Sequence, residues 1–211
     1  MAAPSRIAPS QIALPLARDA GGQADRIIIG SANRKAVDAL SDPSVWPYGT
    51  AILTGPPRSG KTLLGRWFEL AGKGAVIDGA NTLGETDLFH RWNRAQESGE
   101  NLLLISDDEA WDIALPDLRS RLGAALHIAI RQPDDAMLGD LIELHASRHG
   151  LALGEGALTY LVPRVTRSFA EIERVVATID RLSLERKAPP TMGIWRDALE
   201  AVQGPEQARL L

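Results

Sequence analysis

Residues 55–62, Gly-Pro-Pro-Arg-Ser-Gly-Lys-Thr, fit the pattern G-x-x-x-x-G-K-[ST] of a phosphate-binding loop. In such a loop the glycines let backbone N–H groups close around phosphate oxygens, the Lys61 ammonium reaches the β- and γ-phosphates, and the Thr62 hydroxyl ligates Mg²⁺. An apolar strand-like run, residues 50–54, precedes the loop, and a helix follows whose positive N-terminus faces the anion. The alternative, a Gly/Pro turn that contains a lysine by chance, would not need a strand before it and a helix after it. The predicted nucleotide contacts in this stretch are Gly55, Pro57, Ser59, Gly60, Lys61, Thr62 and Leu63.

Composition limits the remaining possibilities. The chain of 211 residues is 45% apolar, which is enough for a globular core, and has a formal charge of −4 with a pI near 5.6. The acidic balance argues against a surface built for non-specific nucleic-acid binding, and we expect no direct sequence-specific DNA binding. The absence of cysteine excludes disulfides, thiolate zinc sites and a cysteine nucleophile, and suits a reducing cytoplasm. No run approaches transmembrane length and no signal-peptide core is present, so we expect a cytoplasmic protein without membrane association.

Three regions follow from the pattern of residues. Residues 1–24 are rich in Ala, Pro, Gly and Ser and predict a flexible tail. Residues 25–132 alternate strand-like and helix-like segments, which predicts an α/β core with a parallel sheet covered on both faces. Residues 133–211 have helical periodicity throughout and predict a small all-helical lid subdomain. Within that subdomain, Ser168 and Glu171 have the spacing of a capping box at the start of a long helix.

The tail contains one apolar hexapeptide, Gln11-Ile12-Ala13-Leu14-Pro15-Leu16. Apolar residues in a polar tail have no core of their own to join. Two interpretations stay open: the hexapeptide folds back on the domain as a first element, or it is a linear motif that docks in the groove of a partner.

The phosphate loop more than fifty residues into the chain, with helices after the last strand, resembles AAA+ ATPase modules. Residues 28–33 resemble the segment that enters the AAA+ domain of the bacterial replication initiator DnaA, which implies that Ile29 contacts the nucleotide. Residues 115–122, Leu-Pro-Asp-Leu-Arg-Ser-Arg-Leu, are similar to the box that carries the arginine finger of that family, which implies that Arg121 is catalytic in trans. The hexapeptide is similar to the motif by which bacterial proteins dock on the sliding clamp. Its implied clamp-binding residues are Gln11, Leu14, Pro15 and Leu16.

Together these features resemble the Hda family of DnaA-homologous regulatory proteins. The resemblance implies an adaptor that binds ADP or ATP with Mg²⁺, docks on the DNA polymerase III β sliding clamp and promotes hydrolysis of the ATP bound to DnaA. It also allows a homodimer.

Several positions depart from the family pattern. Asp78 stands at the first Walker B acid, but Gly79 follows where a second acid is usual, so Asp78 is a degenerate Walker B residue. Asp107 and Asp108 are an alternative acidic pair, although the order of elements gives their strand the place of sensor 1, with Ser106 at the sensor position. The sensor 2 arginine aligns with Ala170, and Arg167 lies one turn earlier. The resemblance therefore implies weak intrinsic ATPase activity.

Two other functions remain open. An independent P-loop ATPase of the helicase-loader kind would need a competent pair of Walker B acids. A P-loop small-molecule kinase fits the length, although such kinases usually begin with their phosphate loop and carry clustered arginines for a phosphorylated substrate.

Overall fold

The computed structural model describes residues 11–13 and 26–204 of the chain. These residues belong to two compact units, with the boundary between Arg131 and Gln132. The first unit contains all the strands described, and the second contains only helices and connecting turns. Among the described helices, none combines the length and apolar composition that a membrane span requires.

A four-stranded parallel sheet forms the centre of the first unit. Its strands are β3 (Thr50–Thr54), β4 (Ala75–Ile77), β5 (Leu102–Ile105) and β6 (Leu126–Ala129). The strand order is β4-β5-β3-β6, and every neighbouring pair is parallel, as predicted. The central strands β3 and β5 are buried runs that follow Gly49 and Asn101, as expected of strands covered on both faces, whereas the edge strand β6 exposes His127.

Four helices connect or precede these strands. They are α1 (Arg34–Ser41), α2 (Lys61–Leu70), α3 (Glu85–Ser98) and α4 (Pro116–Gly123). Helix α2 passes into β4 through residues 71–74, so the connection between the phosphate loop and Asp78 contains one helix and no further strand. Gly99 ends α3 in a left-handed conformation with φ of 69°.

The helices cover both faces of the sheet. On one face, Leu88 and Trp92 of α3 and Leu118 of α4 join Ile52 and Leu104 of the sheet in one buried apolar cluster. On the other face, α2 packs against β4 and β5, and α1 contacts β6 and α2. A buried face on each side of β3 holds the strand firmly, so that the loop at its carboxyl end starts from a fixed point.

A short antiparallel ribbon precedes α1. It consists of β1 (Gln11–Ala13) and β2 (Arg26–Ile28), with Gln11 opposite Ile28 and Ala13 opposite Arg26. The first half of the apolar hexapeptide therefore folds back on the domain in this structure. Leu14, Pro15 and Leu16 lie outside the described residues.

The second unit contains the helices α5 (Asp135–Arg148), α6 (Ala157–Leu161), α7 (Phe169–Arg186) and α8 (Met192–Gln203). Helix α7 packs against both α5 and α8, and α6 packs against α8. The predicted capping box at α7 is wrong. Ser168 occupies the N-cap position, but its side chain makes no capping hydrogen bond. The Glu171 carboxylate accepts a 2.7 Å hydrogen bond from Gln203 instead, because α8 provides a tertiary partner on the same side.

Candidate nucleotide-binding site

The phosphate loop begins where β3 ends and runs into the first residue of α2. Strand β3 lies between β5 and β6. The chain runs from β3 through α2 to β4 and from β5 through α4 to β6, so these two connections run in opposite directions along the sheet. In open parallel sheets, the crevice at the carboxyl ends of strands at such a switch point is the usual place for a ligand. The fold thus puts residues 55–62 at the position where a phosphate site is expected.

Gly55 shows why the loop needs its first glycine. Its φ is 152°, and a Cβ there would lie 2.8 Å from the Cβ of Ile130 and 3.0 Å from the Ile130 carbonyl oxygen. Any side chain at position 55 would therefore push the loop away from the end of β6. Gly60 has φ of 90° and is the N-cap residue of α2, a left-handed conformation that glycine adopts without steric cost.

Lys61 is almost fully buried, with 6% of its surface exposed. Its Nζ donates to the carbonyl oxygens of Gly55 at 2.7 Å and Pro56 at 2.9 Å. It also forms an ion pair with Oδ1 of Asp107 at 2.9 Å. An ammonium group has three N–H donors, so these three acceptors use all of them.

Thr62 connects the first turn of α2 to the end of β4. Its hydroxyl donates a 2.7 Å hydrogen bond to Oδ2 of Asp78. The structure thus brings together the predicted Mg²⁺ ligand and the predicted Walker B acid. Gly79, the next residue, has φ of 66° in a left-handed turn and offers no second carboxylate.

Ser59 contributes a polar atom without a partner. The residue is 4% exposed, and its Oγ makes no hydrogen bond with the residues that the structure describes. The first N–H groups of α2 also lack partners within the helix. A buried hydroxyl, orphan N–H groups and a lysine ammonium in one loop fit an anionic phosphate chain, because a phosphate oxygen accepts from each of them.

The segment that contains Ile29 is connected to the end of β6 through the neighbours of Ile29. Asn33 is buried and closes a tight turn, since its amide donates to the Ile28 carbonyl at 2.8 Å and accepts from the Gly30 N–H at 3.0 Å. The Ala32 carbonyl then accepts a 3.0 Å hydrogen bond from the N–H of Arg131. The segment 28–33 and the phosphate loop therefore both rest on the end of β6. Ile29 itself is buried, and its contact with nucleotide stays a prediction.

Ser106 follows β5 and is fully buried. Its N–H donates to the Leu53 carbonyl at 3.0 Å, which extends the ladder between β3 and β5. Its hydroxyl accepts from the N–H of Asp108 at 3.0 Å and donates to the carbonyl oxygen of Asp108 at 2.8 Å. The hydroxyl thus holds the loop after β5, and a sensor function for it stays a prediction.

Helix α4 carries Arg121 and is positioned by α3. The carboxylate of Glu85 accepts hydrogen bonds from the N–H groups of Ala114 at 2.7 Å and Leu115 at 2.6 Å. Pro116 occupies the first turn of α4, where a missing N–H has no cost. The start of α4 is therefore fixed relative to α3.

The guanidinium of Arg121 also rests on α3. Its Cζ lies 4.7 Å from the ring centroid of Phe89 and 4.5 Å from that of Trp92. Its Nη1 donates to Oδ1 of Asn93 at 2.5 Å. Within the described part of the chain, these contacts of Arg121 are with α3 and not with the phosphate loop. Its use in trans stays a prediction.

Sequence reasoning missed two of these relationships. The first is the contact between Asp107 and Lys61, which are far apart in the chain. The only feature of the sequence that indicated it is an acidic residue shortly after the strand β5. The second is the contact of Arg121 with two aromatic rings. Helical periodicity could have indicated it, since Phe89 and Trp92 are three residues apart on one helix.

Arg167, the arginine one turn before the sensor 2 position, lies in the second unit. Its guanidinium donates a 2.8 Å hydrogen bond to the carboxylate of Asp135.

No family model matches the chain. An uncharacterised protein of Haemophilus influenzae is 30% identical over 104 residues, which cover 48% of this chain and 45% of that protein. The chromosomal replication initiator DnaA of Thermus thermophilus is 31% identical over 91 residues, which cover 42% of this chain and 21% of DnaA. The chain thus aligns with less than half the length of either relative.

Solved structures are similar over more of the chain. Domain III of Thermotoga maritima DnaA has a TM-score of 0.69 and 15% identity, covering 84% of this chain and 95% of that one. The Thermotoga maritima RuvB Holliday junction branch migration motor has a TM-score of 0.62 and 16% identity, covering 85% and 72%. AMPPCP-bound DnaA from Aquifex aeolicus has a TM-score of 0.56 and 21% identity, covering 75% and 65%. The chain therefore has the α/β fold of AAA+ P-loop domains, followed by helices, as the sequence predicted.

Proposed function

We propose that this protein is a nucleotide-binding AAA+ adaptor of the Hda type, which promotes the ATPase activity of DnaA. The observation that supports nucleotide binding is the phosphate loop itself, where Lys61 bonds to the Gly55 carbonyl and Thr62 bonds to Asp78. Fold similarity to DnaA domain III and the short sequence match to DnaA support the choice of partner. A cytoplasmic location follows from that partner.

ADP or ATP is the proposed ligand. Lys61, the orphan hydroxyl of Ser59 and the first N–H groups of α2 would hold its phosphates. Thr62 and Asp78 would hold Mg²⁺, which supplies positive charge against the phosphate oxygens when bound. Gly79 cannot orient a water molecule as a second acid would, so intrinsic hydrolysis should be slow. The bound nucleotide would then have a structural role, and its hydrolysis by this protein would matter less.

Arg121 is the proposed arginine finger for the partner. A guanidinium in trans neutralises charge that develops on the γ-phosphate and accelerates hydrolysis by roughly 10³ to 10⁵. Its contacts with Phe89, Trp92 and Asn93 keep the side chain extended along α3 at a half-buried position. A partner that covers this part of α3 and α4 would meet a guanidinium whose plane is already fixed.

The hexapeptide is the proposed link to the clamp. Burial of Leu14 and Leu16 would yield roughly 1.5 to 3 kcal/mol each, against roughly 1 to 2 kcal/mol for each residue that becomes ordered. Attachment through one hexapeptide should therefore be weak. Self-association, as in a homodimer, would strengthen it, because the ring-shaped clamp offers several identical grooves.

A second candidate is an ATPase that turns over its own nucleotide. The observation that favours it is the carboxylate of Asp107 at 2.9 Å from the Lys61 ammonium, since an acid at this place is available to a metal ion. The two candidates differ in which protein hydrolyses ATP.

The experiment measures ATP hydrolysis by DnaA with DNA-loaded clamp, with and without this protein, beside the turnover of this protein alone. The proposal expects acceleration that requires the clamp, and a variant with Gln11, Leu14 and Leu16 replaced by alanine should lose the acceleration while it keeps its helical circular dichroism. Clear turnover by the protein alone, with no effect on DnaA, would favour the second candidate.

A further inference from the structure

A cavity of about 270 Å³ lies between the end of β3, the loop that joins β5 to α4, and α4 itself. It is on the face of the sheet that α4 covers, whereas α2 packs on the other face. Among the described residues that line the cavity, none belongs to the phosphate loop. We propose that the cavity is a second ligand site, which binds an α-amino acid with an apolar side chain.

The floor of the cavity is apolar. Ile52 of β3, Ile113 of the loop and Leu122 of α4 line it, and all three are buried. The half-buried ring of Trp111 also lines the cavity. A surface of this kind takes up an aliphatic group, because small pockets gain most of their affinity from buried apolar area. The volume equals that of roughly nine water molecules in the liquid, which suits a ligand of the size of leucine.

Two opposite charges stand together at the exposed side of the cavity. Nη2 of Arg119 lies 3.3 Å from Oδ1 of Asp112, and both residues belong to the lining. Their side chains are 61% and 93% exposed. An exposed ion pair with a long contact contributes little free energy, so a ligand separates the two charges at small cost.

A zwitterion replaces this ion pair with two others. Its carboxylate accepts from the guanidinium of Arg119, and its ammonium donates to the carboxylate of Asp112. Arg119 is already held in place, because its Nε donates to the Ile113 carbonyl at 2.6 Å. The N–H groups at the far end of the guanidinium remain for the ligand, and they match the two oxygens of a carboxylate.

The remaining charges of the lining select against simpler ligands. Asp108 and Glu109 also line the cavity, and Oδ1 of Asp108 is held by the N–H of Ala110 at 2.9 Å. Together with Asp112 they set three carboxylates against one guanidinium and one imidazole, which disfavours a plain carboxylic acid. The guanidinium of Arg119 in turn disfavours a plain amine. An amino acid carries both charges and the apolar group in one molecule.

The experiment is a titration of the ¹⁵N-labelled full chain, followed by NMR at the indole N–H of Trp111, which Trp111→Phe assigns. The probes are L-leucine, leucinamide without the carboxylate, isocaproate without the ammonium, and glycine without the apolar side chain. We expect L-leucine to shift this resonance in a saturable way, with a dissociation constant of about 1 mM or below. The other three probes should each bind at least about tenfold more weakly.

Two charge variants assign the contacts. Arg119→Gln and Asp112→Asn should each weaken the binding of L-leucine by about tenfold. Arg119→Gln should not weaken the binding of leucinamide, because that probe lacks the carboxylate that Arg119 holds. The matched control is Arg94→Gln, which removes an exposed arginine of α3 outside the lining and should bind L-leucine normally. The NMR spectra themselves show whether each variant is folded.

Three results would overturn the proposal. Leucinamide binding as tightly as L-leucine would show a site for cations, and isocaproate binding as tightly would show a site for anions. No shift of Trp111 with L-leucine up to about 10 mM would show an empty cavity without a ligand of this class. Nucleotide binding and the activation of DnaA are measured without free amino acids, so their outcome is independent of this site.

Discussion

The hydroxyl of Thr62 donates a 2.7 Å hydrogen bond to the carboxylate of Asp78, so the first turn of α2 and the end of strand β4 meet at the phosphate loop. Strand β4 is at the edge of the sheet and contributes only three residues. The position of Asp78 therefore depends on the pairing of β4 with β5 and on the turn that leads into β4.

The contact predicts a metal-dependent effect of Asp78→Asn. An amide still accepts a hydrogen bond from Thr62 but no longer carries the charge that Mg²⁺ prefers. Nucleotide affinity with Mg²⁺ should fall by about tenfold, with little change in EDTA. Titrations with and without the metal measure this, with Glu97→Gln on the exposed face of α3 as a control for charge. Equal losses in both buffers would remove the metal role.

Arg121 should contribute to stability as well as to activity. Its two ring contacts and its hydrogen bond to Asn93 predict that Arg121→Ala lowers the free energy of unfolding by about 1 to 2 kcal/mol. Arg121→Lys should recover only part of this, because an ammonium lacks the planar face that stacks on the rings. Urea denaturation checks both. No change in either variant would show that the packing on α3 is energetically neutral.

Gly74 lies in the turn that leads into β4 and Asp78, where the backbone leaves no room for a side chain. It has φ of 155°, and a Cβ would lie 2.2 Å from the Asn101 carbonyl oxygen, which accepts a hydrogen bond from Ala75 at 2.9 Å. Gly74→Ala should destabilise the protein by about 3 kcal/mol or more and weaken nucleotide binding, because the backbone must shift.

Gly123→Ala provides the matched control for that variant. A Cβ at this last position of α4 meets nothing within 4 Å. The substitution should be neutral or stabilise by up to about 1 kcal/mol, since alanine loses less conformational freedom on folding. Thermal unfolding of both variants tests the pair, and equal effects would contradict the assigned contact.

Asp140 predicts a pH effect in the helical unit. Burial raises the pKa of this carboxyl, the charges of Glu143 and Asp134 raise it further, and its Oδ2 has no hydrogen-bond partner among the described residues. A raised pKa means that the folded state binds the proton more tightly than the unfolded chain, so the ionised form destabilises the fold as pH rises through that pKa. Asp140→Asn should therefore stabilise the protein at pH 7, by up to about 1 kcal/mol.

The same comparison at low pH tests the cause. Below the ordinary value of 3.8, Asp140 is protonated in both states and the variant should lose its advantage. A stabilisation that is the same at pH 3 and pH 7 would mean that packing, and not ionisation, is responsible.

The local parts of the fold could be predicted from the sequence. Apolar runs at 50–54 and 102–105, glycines at the phosphate loop and Gly99 after α3 act over a few residues, and each produced the expected element. The alternation of strands and helices then implied a parallel sheet, because parallel strands need a crossover.

Contacts that depend on tertiary placement could not be predicted. Nothing local to Asp107 indicates that β5 would lie beside β3 and bring its carboxylate to Lys61. The capping box failed for the same reason, since Gln203 of a later helix competes for the carboxylate of Glu171. In the second unit, helical periodicity in residues 133–211 predicted helices but did not predict which side chains bond to each other.

The most direct test of the account follows a single turnover of ATP already bound to DnaA, with clamp-loaded DNA and this protein in excess. Arg121→Ala is compared with Arg119→Ala, an arginine on the same helix that donates to the Ile113 carbonyl and to Asp112. We expect the unmodified protein and Arg119→Ala to accelerate hydrolysis. With Arg121→Ala the acceleration should be at least about 100-fold smaller, although this variant still binds nucleotide. Undiminished acceleration by Arg121→Ala would contradict a finger supplied by this chain.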